Sequence, residues 1–371
     1  MTAATFANHA EQEFTLTPAD FERVRQLIYQ RAGISLHAGK QAMVYSRLSR
    51  RLRDTGQSSF ADYLRWLEQT SGSAGEAEWQ EFVNCLTTNL TAFFREEHHF
   101  HELVVDLRAR AALQGSLRLW CNAASTGEEP YSLAMTVVEA LGTSAPAKIF
   151  CSDIDTEVLA TAQRGVYPAD ARGLSAERLK RHFMRGTGAN SGFIRVKPVL
   201  SRLVEFRTFN LMATSWQALG EAFDIVFCRN VMIYFDGPTQ RKVLERTHAA
   251  MKPGGLMYVG HSENFSDSRD LFRLRGKTIY ERVYPAHRLL KPKPARADIA
   301  AHPPCLLLPH PTRPPLPLHL PRPHPAAWND SKRRRARPAR RPSSSTKHTS
   351  ATKPSRCCPA SSSSAMKTCW C

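Results

Sequence analysis

The turn Asn122-Ala-Ala-Ser-Thr-Gly-Glu-Glu-Pro130 is rich in small residues, as a loop must be for its backbone to approach a nucleotide-like ligand. It lacks GxGxxG and carries two acids where a phosphate binder would place none, which disfavours NAD and ATP. A ligand with a cationic end suits Glu128 and Glu129, and S-adenosylmethionine offers both an ammonium and a sulfonium. The alternative is that the two acids only favour a helix N-terminus. Asp153 follows an apolar run and is placed to accept both hydroxyls of a ribose, while Asp155, two residues on, reads as a helix cap. Arg47, Arg50 and Arg53 recur at i, i+3 and i+6, opposite Val44, Leu48 and Leu52, a pattern usual for a solvated helix face.

These residues need a scaffold, and the periodicities supply one. Residues 15–90 read as helices without strand signal: one capped by Thr17 and ended by Gly33, then Gln41 to Asp54, Ser59 to Glu68 and Glu78 to Leu86. From Leu117 short apolar strands alternate with amphipathic helices, the signature of a parallel sheet covered on both faces. Leu117–Cys121, Ala147–Cys151, Leu203–Phe209, Phe223–Cys228 and Leu256–Val259 read as strands, with helices at Pro130–Leu141, after Asp155 and at Thr239–Met251. The stretch between Gly165 and Leu203 is too long for a simple crossover, and its alternating Phe193–Val196 predicts a small antiparallel insertion. The expected domains are 15–90, all-helical; 91–285, α/β, with the β-subdomain at about 166–202; and 286–371, a disordered tail.

The formal net charge of +18 is uneven. Residues 291–371 hold 16 Lys+Arg against Asp298 and Asp330, leaving 35 basic and 31 acidic residues before them. The tail also holds 16 of the 24 prolines, which argues against a packed domain there. Lys332-Arg-Arg-Arg-Ala-Arg337 would bind nucleic acid or an acidic surface by charge alone; the blander account is a shifted reading frame of a GC-rich gene. Cys85, Cys121, Cys151 and Cys228 are spread singly with no metal-ligand spacing, so no metal and a reducing compartment are expected. Neither an export signal nor an 18-residue apolar run occurs, which predicts a cytoplasmic protein.

Five blocks, taken in order, carry a resemblance. They are Thr87-Thr-Asn-Leu-Thr-Ala-Phe-Phe-Arg-Glu96, Ala123-Ala-Ser-Thr-Gly-Glu-Glu-Pro-Tyr-Ser132, Ser152-Asp-Ile-Asp155, Phe227-Cys-Arg-Asn-Val-Met-Ile-Tyr-Phe235 and Gly260-His-Ser-Glu-Asn-Phe265. Together they resemble the signature blocks of the CheR-type chemotaxis receptor methyltransferases, over about residues 15–285. The resemblance implies a Rossmann-like, S-adenosylmethionine-dependent methyltransferase domain with a small antiparallel β-subdomain, preceded by an all-α domain. It implies esterification of glutamate side chains on chemoreceptors, with S-adenosylhomocysteine as product. Cofactor contacts carry over to Asn89, Thr91, Arg95, Glu129, Asp153, Asn210, Leu211, Arg229 and Asn230, and the reacting groups lie beside Arg95 and Tyr234.

The same resemblance turns the Arg47, Arg50 and Arg53 face into a candidate docking strip for acidic receptor helices. It also makes the Met184–Gly192 segment of the insertion a candidate grip for a receptor's C-terminal tether peptide, in a protein expected to be monomeric. Two other classes remain for comparison: a methyltransferase acting on a small molecule or nucleic acid, and a scaffold that has lost catalysis.

Overall fold

The computed structural model describes residues 13–113, 115–283 and Trp370. Four helices come first: α1 (Pro18–Ala32), α2 (Gln41–Thr55), α3 (Phe60–Gln69) and α4 (Gly72–Leu86). The start of α1 follows from its sequence, since Thr17 and Asp20 form a reciprocal capping box with Pro18 at the first position. Gly33 ends the helix in a left-handed conformation, φ 73°. The apolar faces of the four helices meet in one cluster around Val24, Ile28, Val44, Leu48, Leu52, Phe60, Tyr63 and Phe82, all fully buried.

The rest of the fold opens with α5 (His98–Ala111), then β1 (Leu117–Cys121), α6 (Glu128–Leu141), β2 (Ala147–Asp153) and α7 (Thr156–Arg164). A small excursion follows: β3 (Val166–Pro168), α8 (Ala176–His182), β4 (Phe183–Arg185) and β5 (Phe193–Val196). After α9 (Pro198–Ser201) come β6 (Val204–Thr208), β7 (Phe223–Cys228), α10 (Gly237–Ala250), β8 (Met251–Val259), β9 (Phe272–Gly276) and β10 (Ile279–Arg282).

The main sheet runs β6-β2-β1-β7-β8-β10-β9, parallel from β6 to β8 and antiparallel at β10 and β9. A second sheet, β3-β5-β4, is antiparallel throughout. This is the expected Rossmann-like architecture with its β-subdomain.

Strand alternation divides the main core. Leu119 and Cys121 face α5 and α6, where Leu103, Leu107, Leu133 and Val137 pack, whereas Trp120 faces the opposite layer with Phe223, Val243 and Leu244. The sequence reading singled out neither α5 nor β9. Phe100, Leu103 and Leu107 carry the helical spacing that marks α5. Strand β9 is mostly exposed beyond Phe272, so it offers no apolar alternation to read.

Several hydrogen bonds hold the helical domain to the sheet domain, among them the following. Asn84 Nδ2 donates to Thr156 Oγ1 (3.0 Å), Gln80 to the Ile154 carbonyl (2.9 Å), Asn210 Nδ2 to the Arg31 carbonyl (2.7 Å) and the Ser35 N–H to the Tyr234 carbonyl (2.8 Å). These contacts span the carboxyl edge of the sheet, so the helices roof that edge.

Candidate active site

Strand order reverses at β1, whose neighbours are β2 and the much later β7. In open α/β sheets such a switch point leaves a crevice outside the carboxyl ends of the strands. Here the crevice is a cavity of about 480 Å³, within the usual range for a small-molecule site. Asn122 enters it from β1, Asp153 and Ile154 from β2, Phe209 to Leu211 from β6, and Arg229 to Val231 from β7. Ile34, Leu36, His37, Met43 and Leu86 line it from the helical domain.

On the β2 side, Asp153 accepts the Ser125 N–H at Oδ2 (2.8 Å) and the Asp155 N–H at Oδ1 (3.1 Å). Burial pushes its pKa up to about 6, against the pull of those two donors. Each oxygen keeps lone-pair capacity for another donor. Asp155 caps α7 as expected, taking the N–H groups of Glu157 and Val158 on Oδ1. Its other oxygen accepts from Thr87 Oγ1 (2.6 Å) and Asn89 Nδ2 (2.8 Å), which ties the interdomain segment to the sheet edge. That segment packs closely against the β-subdomain side: a Cβ on Gly173, φ 88°, would sit 1.9 Å from the Phe93 carbonyl oxygen.

On the β7 side, Arg229 is buried. Its Nη1 meets Glu129 Oε2 at 2.5 Å, and its Nη2 donates to the Arg95 carbonyl at 2.6 Å. Two elements distant in sequence therefore converge on one guanidinium. Glu263 organises the next residues by accepting the N–H groups of Asn230, Val231, Met232 and Gly260 at 2.7 to 3.0 Å. Asn230 is left-handed, φ 58°, and a Cβ on Gly260 would lie 2.6 Å from its Nδ2, so this junction needs a glycine. Ser125 on the cavity wall, and Phe94 and Glu96 on either side of Arg95, are also left-handed non-glycine residues, conformations that cost energy and persist only where surroundings impose them.

Tyr234 closes a one-turn 3-10 segment, Met232–Tyr234. Its hydroxyl points to the Thr88 carbonyl at 3.4 Å, and burial raises its pKa, so it stays a proton donor at neutral pH. Arg95 Nη1 donates to the Leu90 carbonyl at 2.9 Å. Both side chains line the cavity.

Of the residues singled out in the sequence, Asn89, Thr91, Arg95, Asp153, Asn210, Leu211, Arg229, Asn230 and Tyr234 all line this one cavity. Glu129 does not; its carboxylate faces Arg229 and the Cys121 thiol instead. The three arginines of α2 are not equivalent. Arg47 donates to the carbonyls of Cys85 (3.2 Å) and Thr87 (2.5 Å), while Arg50 and Arg53 are exposed, near Asp54 and Glu13. Arg47 therefore braces the interdomain segment, and the exposed part of the strip is Arg50 and Arg53, each in a surface ion pair. Asn122 and Glu263 were not singled out as site residues; each lies inside or beside a quoted motif, but the Glu263 carboxylate finds its partners after the neighbouring strand β7, and the Asn122 amide faces the cavity.

Two family descriptions match the chain: the all-alpha domain of the CheR methyltransferases over residues 19–87, and their SAM-binding domain over residues 89–280. The chain belongs to the CheR methyltransferase family. Similar curated proteins include a chemotaxis protein methyltransferase of Klebsiella aerogenes, 53% identical over 272 residues, covering 72% of this chain and 91% of that one. The corresponding protein of Escherichia coli K12 is 51% identical, with 72% and 92% covered. Chemotaxis protein methyltransferase 2 of Pseudomonas aeruginosa is 54% identical, with 72% and 95% covered.

This CheR-family chain is thus an S-adenosylmethionine-dependent methyltransferase, and its cavity suits the cofactor. Asn122 is buried on the cavity wall with both amide atoms unpartnered, a donor and an acceptor waiting for a polar ligand. Asp153 lines the same cavity with acceptor capacity to spare, and Phe209, Leu211 and Val231 give it apolar surface.

Proposed function

We propose that this enzyme methylates glutamate side-chain carboxylates on chemoreceptor cytoplasmic helices, forming methyl esters. The observation that carries the reading is the presence of Arg95 and Tyr234 on the wall of the cofactor cavity, under a roof of helices. When bound, S-adenosylmethionine supplies an electrophilic methyl on a sulfonium. A glutamate is ionised at neutral pH, so the chain needs no strong base. What it must do is orient the anion and exclude water. Arg95 steers the carboxylate by charge, and the Tyr234 hydroxyl donates to one of its oxygens. Asn89, Thr91, Asp153, Asn210, Leu211 and Asn230 hold the cofactor together with Asn122. Arg229 and Glu129 act one step back, fixing the Arg95 backbone.

The receptor helix docks on the exposed Arg50 and Arg53 of α2. A receptor tether peptide would add to the free edge of β4. In support, Trp370 forms an antiparallel bridge with Gly186 just past β4, and Arg195 stands 6.0 Å from its ring centre. The enzyme works as a monomer in the cytoplasm, where the free thiols of Cys85, Cys121, Cys151 and Cys228 stay reduced. Among the described residues no helix is long and apolar enough to cross a membrane.

Purified enzyme incubated with methyl-labelled cofactor and receptor cytoplasmic fragments tests the reading. The label should enter protein and leave as methanol in alkali. An alkali-stable label, or label only in nucleic acid, would overturn it.

A further inference from the structure

Just after Arg95 in the chain, three side chains converge that the methyl-transfer chemistry does not use. Glu96 follows Arg95 in a left-handed conformation, His98 opens α5, and His261 leaves β8 just after Gly260. One ligand atom from each lies within 4.8 Å of the others. The His98 and His261 rings stand 5.0 Å apart at 33°. His98 Nε2 is buried without a hydrogen-bond partner, and the buried Glu96 Oε2 has only the looser contacts of Arg229 Nη2 at 3.3 Å and His99 Nδ1 at 3.5 Å, whereas His261 is exposed and leaves a path to solvent.

We propose that Glu96, His98 and His261 form a binding site for a zinc-class divalent transition metal, with the fourth position open to water. Two imidazoles and a carboxylate are a recurrent donor set for such ions. The surroundings decide the class of metal. The Arg229 guanidinium lies 3.3 Å from Glu96 Oε2, and the N-terminus of α5 is adjacent; both disfavour a cation held by charge alone. Magnesium and calcium, which need several oxygens, find one carboxylate here. An ion that bonds strongly to imidazole nitrogen can overcome the repulsion. Its effect would be to tie the segment bearing Arg95 to the loop bearing Glu263, and so to staple two walls of the active site.

The test uses the full chain, stripped of metal, beside His98→Gln/His261→Gln. The tail has its own histidines and cysteines, but both proteins share them, so the difference isolates this site. Wild type should bind one more equivalent of Zn²⁺ than the double variant in competition with a chromophoric chelator. The Co²⁺ difference spectrum should show d–d bands without thiolate charge transfer. His261→Gln alone changes an exposed side chain and should weaken that equivalent by about tenfold or more. Unchanged near-ultraviolet circular dichroism checks that each variant is folded. Equal stoichiometry in all three folded proteins, or a difference spectrum dominated by thiolate bands, overturns the proposal. Failure of methyl transfer would not bear on it, since the readout is metal binding.

Discussion

Asp153 is the residue whose protonation state should be visible in cofactor binding. Its carboxyl is pushed up to about 6, so it is ionised at pH 7 and gains a proton as pH falls through 6. The ionised form is the better acceptor for ribose hydroxyls, so affinity for S-adenosylhomocysteine should weaken about tenfold per pH unit below 6. Calorimetry from pH 5 to 8 would show it, and Asp153→Asn should bind weakly with a flat profile over that range. The sign for stability is opposite, because a raised carboxyl pKa means the ligand-free fold loses this contribution as pH rises through 6. For Tyr234, loss of one hydrogen bond to a charged oxygen should lower kcat about 10- to 100-fold in Tyr234→Phe. Cofactor affinity should hold, so an equal loss in binding would move Tyr234 from the reacting end to the cofactor. Asp153 was legible because a carboxylate after the second strand has a geometric purpose. The unpartnered amide of Asn122 was not, because only the fold shows which donors and acceptors remain free.

Capped helix starts were readable, since a cap is a local device: Thr17 with Asp20, and Asp155 with Glu157 and Val158, need no tertiary information, whereas α4, expected from Glu78, begins at Gly72, where no side chain caps it. The partners of Arg229 were unreadable for the converse reason, as Glu129 of α6 and the Arg95-Glu96 pair of the interdomain segment reach it from two elements distant in sequence. The metal-site candidate likewise draws Glu96 and His98 from one end of the domain and His261 from the other, so no motif spacing announces it. On α2, the sequence placed three arginines in one row, and contacts divide them. Exposed ion pairs such as Arg50 with Asp54, at 3.7 Å, contribute little to stability, so reversing Arg50 and Arg53 should leave the fold intact. Arg50→Glu/Arg53→Glu should therefore keep cofactor affinity while slowing methylation of receptor fragments, most steeply at low salt. Unchanged receptor turnover at low salt would remove α2 as the docking surface.

At the scale of the whole chain, two features of the sequence separate cleanly. The family match ends at residue 280, while 16 of the 51 Lys and Arg residues fall after residue 290. Residues 1–290, with 35 basic and 31 acidic side chains, are close to neutral, so a polyanion should meet mainly the tail. Apart from Trp370, the tail lies outside the described residues, and a chain ending at Pro285 tests the expectations for it through function. If catalysis belongs to the matched region, that shorter chain should bind cofactor and methylate receptor fragments as the full chain does. The full chain should in addition bind heparin or duplex DNA with an affinity that falls steeply with salt, an affinity the shorter chain lacks. The two assays give opposite answers for the two classes of function. Methylation that survives truncation while polyanion binding disappears assigns the basic segment no part in the reaction. Methylation lost together with polyanion binding, in a protein that still binds cofactor, would instead make the tail part of substrate capture.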